Sequence, residues 1–149
     1  MRIRGFAISA VLAALTITLA ACGAAATPSP SASAAPSTAA GGIAVELKEW
    51  SVTPSSATAS AGSVTFNVTN SGTTIHEFVV VKTDTKAADL TVVDNKIDES
   101  VLTPVDEIED IEAGATPTLT VDLAAGHYVL LCNIETHYSQ GMYADFDVS

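Results

Sequence analysis

Cys132, His137 and Met142 stand at equal intervals near the C-terminus, in the pattern C-x4-H-x4-M, and a second imidazole, His76, lies 56 residues before the cysteine. Two ring nitrogens, a soft thiolate and a weak thioether form a donor set suited to one copper ion that exchanges a single electron. The sulfurs favour Cu(I), the imidazoles serve either oxidation state, and a compromise geometry keeps the structural change on electron transfer small. Taken singly, each residue has a plainer use: a buried thiol, a capping histidine, a packing methionine. Met142 is nonetheless the only methionine besides the initiator, and all four residues fall at the ends of expected strands. His127 opposes Tyr128, Leu130 and Cys132 in strand parity, so it is expected to face outward and take no ligand role. Trp50, Tyr128, Tyr138 and Tyr143 read as core or rim residues.

The elements that must position this set have a period of two. Val45 and Leu47 alternate with Glu46 and Lys48; Val64, Phe66 and Val68 alternate with Thr65, Asn67 and Thr69. His76, Phe78 and Val80 share a face, as do Leu119, Val121 and Leu123, and as do Tyr128, Leu130 and Cys132; Tyr143, Phe146 and Val148 close the chain. Turn residues such as Ala61-Gly62-Ser63, Asn70-Ser71-Gly72 and Ala124-Ala125-Gly126 separate the runs. Short strands at this spacing predict an all-β, antiparallel β-sandwich of Greek-key type. Thr83 to Ala113 breaks the alternation, holds Pro104 and carries ten acids against Lys86 and Lys96. It is expected to be an acidic surface excursion between strands, with room for a short helix.

The 149 residues suffice for one ordinary domain. Arg2 and Arg4 precede an uncharged apolar run, Gly5 to Ala21, too short for a membrane span. It ends in Leu19-Ala20-Ala21-Cys22, which resembles the lipobox of bacterial lipoproteins. Residues 1–21 are therefore expected to be a signal peptide cut before a lipidated Cys22. Residues 22–42, nearly all Ala, Ser, Thr, Pro and Gly, are expected to be a disordered tether, and residues 43–149 the folded domain. The whole chain has 17 acids against 6 Lys and Arg, a net charge of −11; after cleavage 4 cations face 17 acids, a net charge of −13. Such a surface repels nucleic acid and anionic lipid and draws basic partners. Attachment to the membrane is thus expected only through the N-terminal lipid, on the extracytoplasmic side. With Cys22 lipidated, Cys132 is left as a single thiol without a disulfide partner, unusual in that oxidising compartment.

Two stretches carry a family resemblance: Ile75-His76-Glu77-Phe78-Val79-Val80, and Gly126 to Cys132 continuing through Gly141-Met142. They resemble the cupredoxins, the blue (type 1) copper proteins that include plastocyanin, azurin and rusticyanin, and the likeness extends over residues 43–149. The spacing from Cys to His to Met is closer to the rusticyanin-like pattern than to the shorter plastocyanin loop. The resemblance implies one copper per domain, held by His76, Cys132, His137 and Met142, with His137 as the electron exit. Glu77 departs from the family, several of whose members carry Asn or Ser there. Ile134, Tyr138 and Met142 are expected to form an apolar docking rim. Asp98, Glu99, Asp106, Glu107, Glu109, Asp110 and Glu112 are expected to steer a basic redox partner, such as a c-type cytochrome or a membrane oxidase or reductase. The reading is of a monomeric one-electron carrier without substrate turnover, since four protein ligands leave no open coordination position. Two alternatives stand beside it: a copper storage or delivery protein, and a metal-free adhesion module of the extracellular sandwich type.

Overall fold

The computed structural model describes residues 41–149; the expected signal peptide, Cys22 and all of the tether before Gly41 lie outside them. Eleven strands follow in order: β1 (Ile43–Lys48), β2 (Ser51–Pro54), β3 (Thr58–Ala59), β4 (Gly62–Asn70), β5 (His76–Lys82), β6 (Val92–Val93), β7 (Lys96–Ile97), β8 (Thr103–Ile111), β9 (Thr118–Leu123), β10 (Gly126–Leu131) and β11 (Tyr143–Val148). They form a four-stranded sheet ordered β2-β1-β4-β9, a five-stranded sheet ordered β3-β11-β10-β5-β8, and the small β6–β7 hairpin. Most pairs are antiparallel, but β1 lies parallel to β4 and β3 parallel to β11. Side-chain alternation reports which face is buried, not which way a neighbouring strand runs. Both prolines within strands, Pro54 and Pro104, sit in edge strands, where a missing N–H costs no ladder bond.

The alternating apolar residues meet between the two larger sheets. Val45, Leu47, Phe66, Val68, Phe78, Val80, Leu123, Leu130, Cys132, Met142 and Phe146 are buried there in one cluster. Asn70, fully buried at the end of β4, donates to Thr74 O (2.8 Å) and Ile111 O (2.7 Å) and accepts from Gly72 N (2.9 Å). It ties the end of one sheet to the segment that delivers His76.

The excursion differs from its expected form. No α-helix occurs among the described residues; the stretch holds two three-residue 3-10 turns, Ala87–Asp89 and Glu99–Val101, and then the nine-residue strand β8. As an edge strand exposed on nearly its whole length, β8 has no buried face to impose alternation. The rest of the excursion covers the outer face of the five-stranded sheet, where Ala87, Leu90 and Ile97 bury Val79, Val81, Val129, Leu131 and Tyr138 in a second core. Strands β5 and β10 are therefore covered on both sides, which explains the unbroken runs Val79-Val80-Val81 and Val129-Leu130-Leu131. His127 also departs from the expected outward pose: half-buried, it meets Thr83 O at 2.7 Å and Asp145 Oδ1 at 2.8 Å.

Candidate metal centre

His76 opens β5, and Cys132 follows directly on β10, its antiparallel neighbour. The register Val79↔Leu131 brings the ends of these two strands together. On the other side of β10, Cys132 N donates to Met142 O (3.0 Å), continuing the ladder with β11. The loop between them turns through His137, whose N–H donates to Ile134 O (2.9 Å), and through the 3-10 turn Tyr138–Gln140. Gly141 ends that turn at φ 115°, a value open to glycine and costly for other residues, and so sends Met142 back into the core.

Three donor atoms converge. His76 Nδ1 lies 3.3 Å from His137 Nδ1, Cys132 Sγ lies 3.3 Å from His137 Nδ1, and all three atoms fall within 4.8 Å of one another. His76 and Cys132 are 0 % exposed, Met142 is 0 % exposed, and His137 retains 8 %. Two metal–nitrogen bonds of about 2.0 Å at a tetrahedral angle span about 3.3 Å, the separation found between the imidazoles. Two facing imidazole nitrogens attract only if one holds a proton between them, whereas one cation inside the triangle satisfies all three donors. The residues thus fit a single metal ion.

Electrostatics point the same way. Burial first, and for His137 the neighbouring His76 as well, holds both rings below the ordinary histidine value, so both fold neutral with a lone pair to give. Burial pushes the Cys132 thiol up, against the Glu77 N–H that donates to Sγ at 3.4 Å. A metal binding there displaces the thiol proton. The histidine shifts make a prediction for the metal-free protein. The unfolded chain takes up protons near pH 6.5 that the folded chain refuses, so this stability is whole above that pH and drains as pH falls. Unfolding free energies in urea should decline from pH 7.5 to 6, with a slope of at most about 2.7 kcal/mol per pH unit for two rings. Glu77 and Glu107, both held up chiefly by burial, act in the opposite sense near the carboxylate range, so the upper window is the one to read. A flat profile there would show that the rings titrate alike folded and unfolded.

The excursion braces the ligand-bearing loop, a contact the acidic composition did not announce. Asn133 is buried; its Oδ1 accepts from Ile97 N (2.6 Å) and its Nδ2 donates to Ile97 O (2.9 Å) and Glu99 Oε1 (2.5 Å). Thr136 N donates to Asn95 O (2.9 Å), supporting a β-branched residue at φ 71° just before His137. Glu77, adjacent to His76, accepts from Asn133 N (3.0 Å) and stands with Glu99 and Glu107 in a trio of carboxylates.

The remaining expected docking acids have separate circumstances. Asp98 caps a 3-10 turn by accepting from Ser100 N (3.0 Å), and Asp106 accepts from Glu107 N (3.0 Å). Adjacent on β8, Asp106 and Glu107 project to opposite faces, while Glu109, Asp110 and Glu112 are exposed. The expected apolar rim does not form as drawn: Tyr138 is 4 % exposed and Met142 not at all, because the second and first cores respectively bury them. Trp50 takes the surface position instead, half-open and edge-on to the His137 ring, with centroids 5.0 Å apart.

A β-sandwich that gathers two imidazoles and a thiol at one end of its five-stranded sheet is the class that fold and site define. The family profile described as a cupredoxin-like domain matches residues 10–143, and the chain belongs to that family. Among solved structures it is similar to auracyanin from Roseiflexus castenholzii, at 21 % identity over 71 % of this chain and 94 % of that one, with a TM-score of 0.54. It is also similar to auracyanin A of Chloroflexus aurantiacus, described as a "blue" copper protein, at 21 % identity over 72 % and 97 % of the chains, TM-score 0.52. Azurin Az-iso2 from Methylomonas sp. strain J shares 15 % identity over 71 % and 95 %, TM-score 0.51. No curated protein matches the sequence. Among the described residues no helix is long and apolar enough to cross a membrane.

Proposed function

We propose that the chain is a mononuclear type 1 copper protein that carries one electron at a time outside the cytoplasmic membrane. The convergence of His76 Nδ1, Cys132 Sγ and His137 Nδ1, buried at the end of a rigid sandwich, carries the reading. His76, Cys132 and His137 would hold copper, and the thioether of Met142, beside Cys132 on the ladder, would add a weak soft donor. When bound, copper supplies a one-electron couple. The chain's part is to keep the donors in place: strands β5, β10 and β11 and the loop braced by Asn133 resist movement between oxidation states. Of the two imidazoles only His137 retains exposed surface, so it is the exit for the electron, beneath Trp50. Water and substrate are kept from the site by burial, and no turnover of a substrate is assigned. A delivery protein must offer its ligands to an acceptor; here the thiol and His76 are closed off.

The proposal extends to the N-terminus, with residues 1–21 as signal, Cys22 as lipid anchor, 22–42 as tether and 43–149 as the copper domain. The domain acts as a monomer. Asp98, Glu99, Asp106, Glu107, Glu109, Asp110 and Glu112 steer a basic donor or acceptor, such as a c-type cytochrome or a membrane oxidase or reductase. One equivalent of Cu(II) should produce an intense visible band, bleached by ascorbate and restored by ferricyanide. A colourless protein would defeat the copper reading. Electron-transfer rates with a basic cytochrome should fall steeply with salt; salt-independent rates would remove the acidic patch from the docking account.

A further inference from the structure

The turn between β1 and β2, supplied by the opposite sheet, addresses both imidazoles. Its Trp50 meets His137, and its Glu49 places Oε1 3.6 Å from His76 Nε2. That nitrogen is the one buried side-chain polar atom among the described residues with no hydrogen-bond partner. A buried donor left without a partner is unfavourable, and the Glu49 carboxylate faces it.

Glu49 is itself firmly held. Its Oε1 accepts from Thr73 N (2.6 Å), Thr74 N (2.9 Å) and Thr74 Oγ1 (3.1 Å), with Thr73 Oγ1 at 3.4 Å. Gly72 makes room for it, since a Cβ there would lie 2.6 Å from Oε1. Each of these groups donates to the carboxyl oxygen, an arrangement that favours the charged carboxylate.

We infer that Glu49 is a positioning residue for the copper site, holding the His76 proton on Nε2 and favouring the oxidised over the reduced ion. A neutral imidazole has one proton to place. A carboxylate facing Nε2 draws it there and leaves the Nδ1 lone pair directed toward Cys132 and His137. The same negative charge attracts a doubly charged ion more than a singly charged one, so it selects Cu(II) and lowers the potential. This inference rests on the copper reading for its second half only; the tautomer is a property of the metal-free chain.

The test uses the full-length protein and Glu49→Gln, which keeps the oxygen that Thr73 and Thr74 bind and removes the charge. Nitrogen-15 NMR of the metal-free wild type should show His76 protonated on Nε2; protonation on Nδ1 would overturn the inference whether or not copper binds. Titration with Cu(II) and Cu(I) should show the ratio of the two affinities falling roughly 10-fold in the variant, a rise of about 59 mV in potential. Gly72→Ala, which crowds the carboxylate without altering its charge, should move the ratio in the same direction. An unchanged ratio in both variants, with copper still bound, would refute the charge effect. A wild type that binds no copper but holds the Nε2 proton would instead refute the copper reading and leave the positioning role standing.

Discussion

Cys132→Ser is expected to erase the intense visible absorption of the copper-loaded protein and to weaken copper binding by at least roughly 100-fold. The band in such a site arises from charge transfer between a thiolate sulfur and Cu(II), and no other sulfur in the domain could replace it: Met142 has no ionisable group, and Cys132 is the only cysteine among the described residues. Serine is smaller and its oxygen is hard, so Cu(I) loses most. Its hydroxyl would also stay protonated at neutral pH, leaving two neutral imidazoles as the remaining close donors. The fold should survive, because Cys132 contributes one small buried side chain whose polar contacts are long ones, with Glu77 N at 3.4 Å and His137 Nδ1 at 3.3 Å. Circular dichroism and a urea midpoint near the parent's would establish that. A variant that remained intensely coloured would place the chromophore elsewhere and remove the central support for an electron carrier.

His76, Cys132 and His137, which the structure brings together, were legible in the sequence because their types are scarce. Within residues 43–149 one cysteine, one methionine and three histidines leave few arrangements, and the alternation of Val64, Phe66 and Val68 or of Leu119, Val121 and Leu123 shows which faces close over the core. Two kinds of information were not legible. Contacts between sheets leave no local periodicity, so nothing about Glu49 or Trp50 marks them as neighbours of His76 and His137. Charge also masks structure: β8 reads as loop because an edge strand with both faces wet is free to carry Asp106, Glu107, Glu109 and Asp110. The signal that was available and easily passed over is the pair of continuous runs Val79–Val81 and Val129–Leu131. Strands apolar on both faces require cover on both, and only the excursion could supply the second layer.

Phe66→Ala is expected to cost about 3–5 kcal/mol. Phe66 is 0 % exposed on the four-stranded sheet, and its ring meets Phe78 and Phe146 of the opposing sheet edge-on, both at 5.4 Å. Aromatic pairs of this geometry add about 0.5–1.5 kcal/mol each beyond buried area. The hole would face two rigid rings on different strands, so little can collapse to fill it. Thermal midpoints should drop by roughly 15–25 °C for a domain of this size. The copper band, by contrast, should keep its position, because the donor loop is held by Asn133 and the strand ladder rather than by Phe66. A shifted band in a still-folded variant would mean that the sandwich core, through Phe78 two residues along β5 from His76, sets the geometry of the donors directly. A loss below about 1.5 kcal/mol would mean that the two sheets close over the gap, and that the rigidity assigned to the scaffold resides in the loop alone.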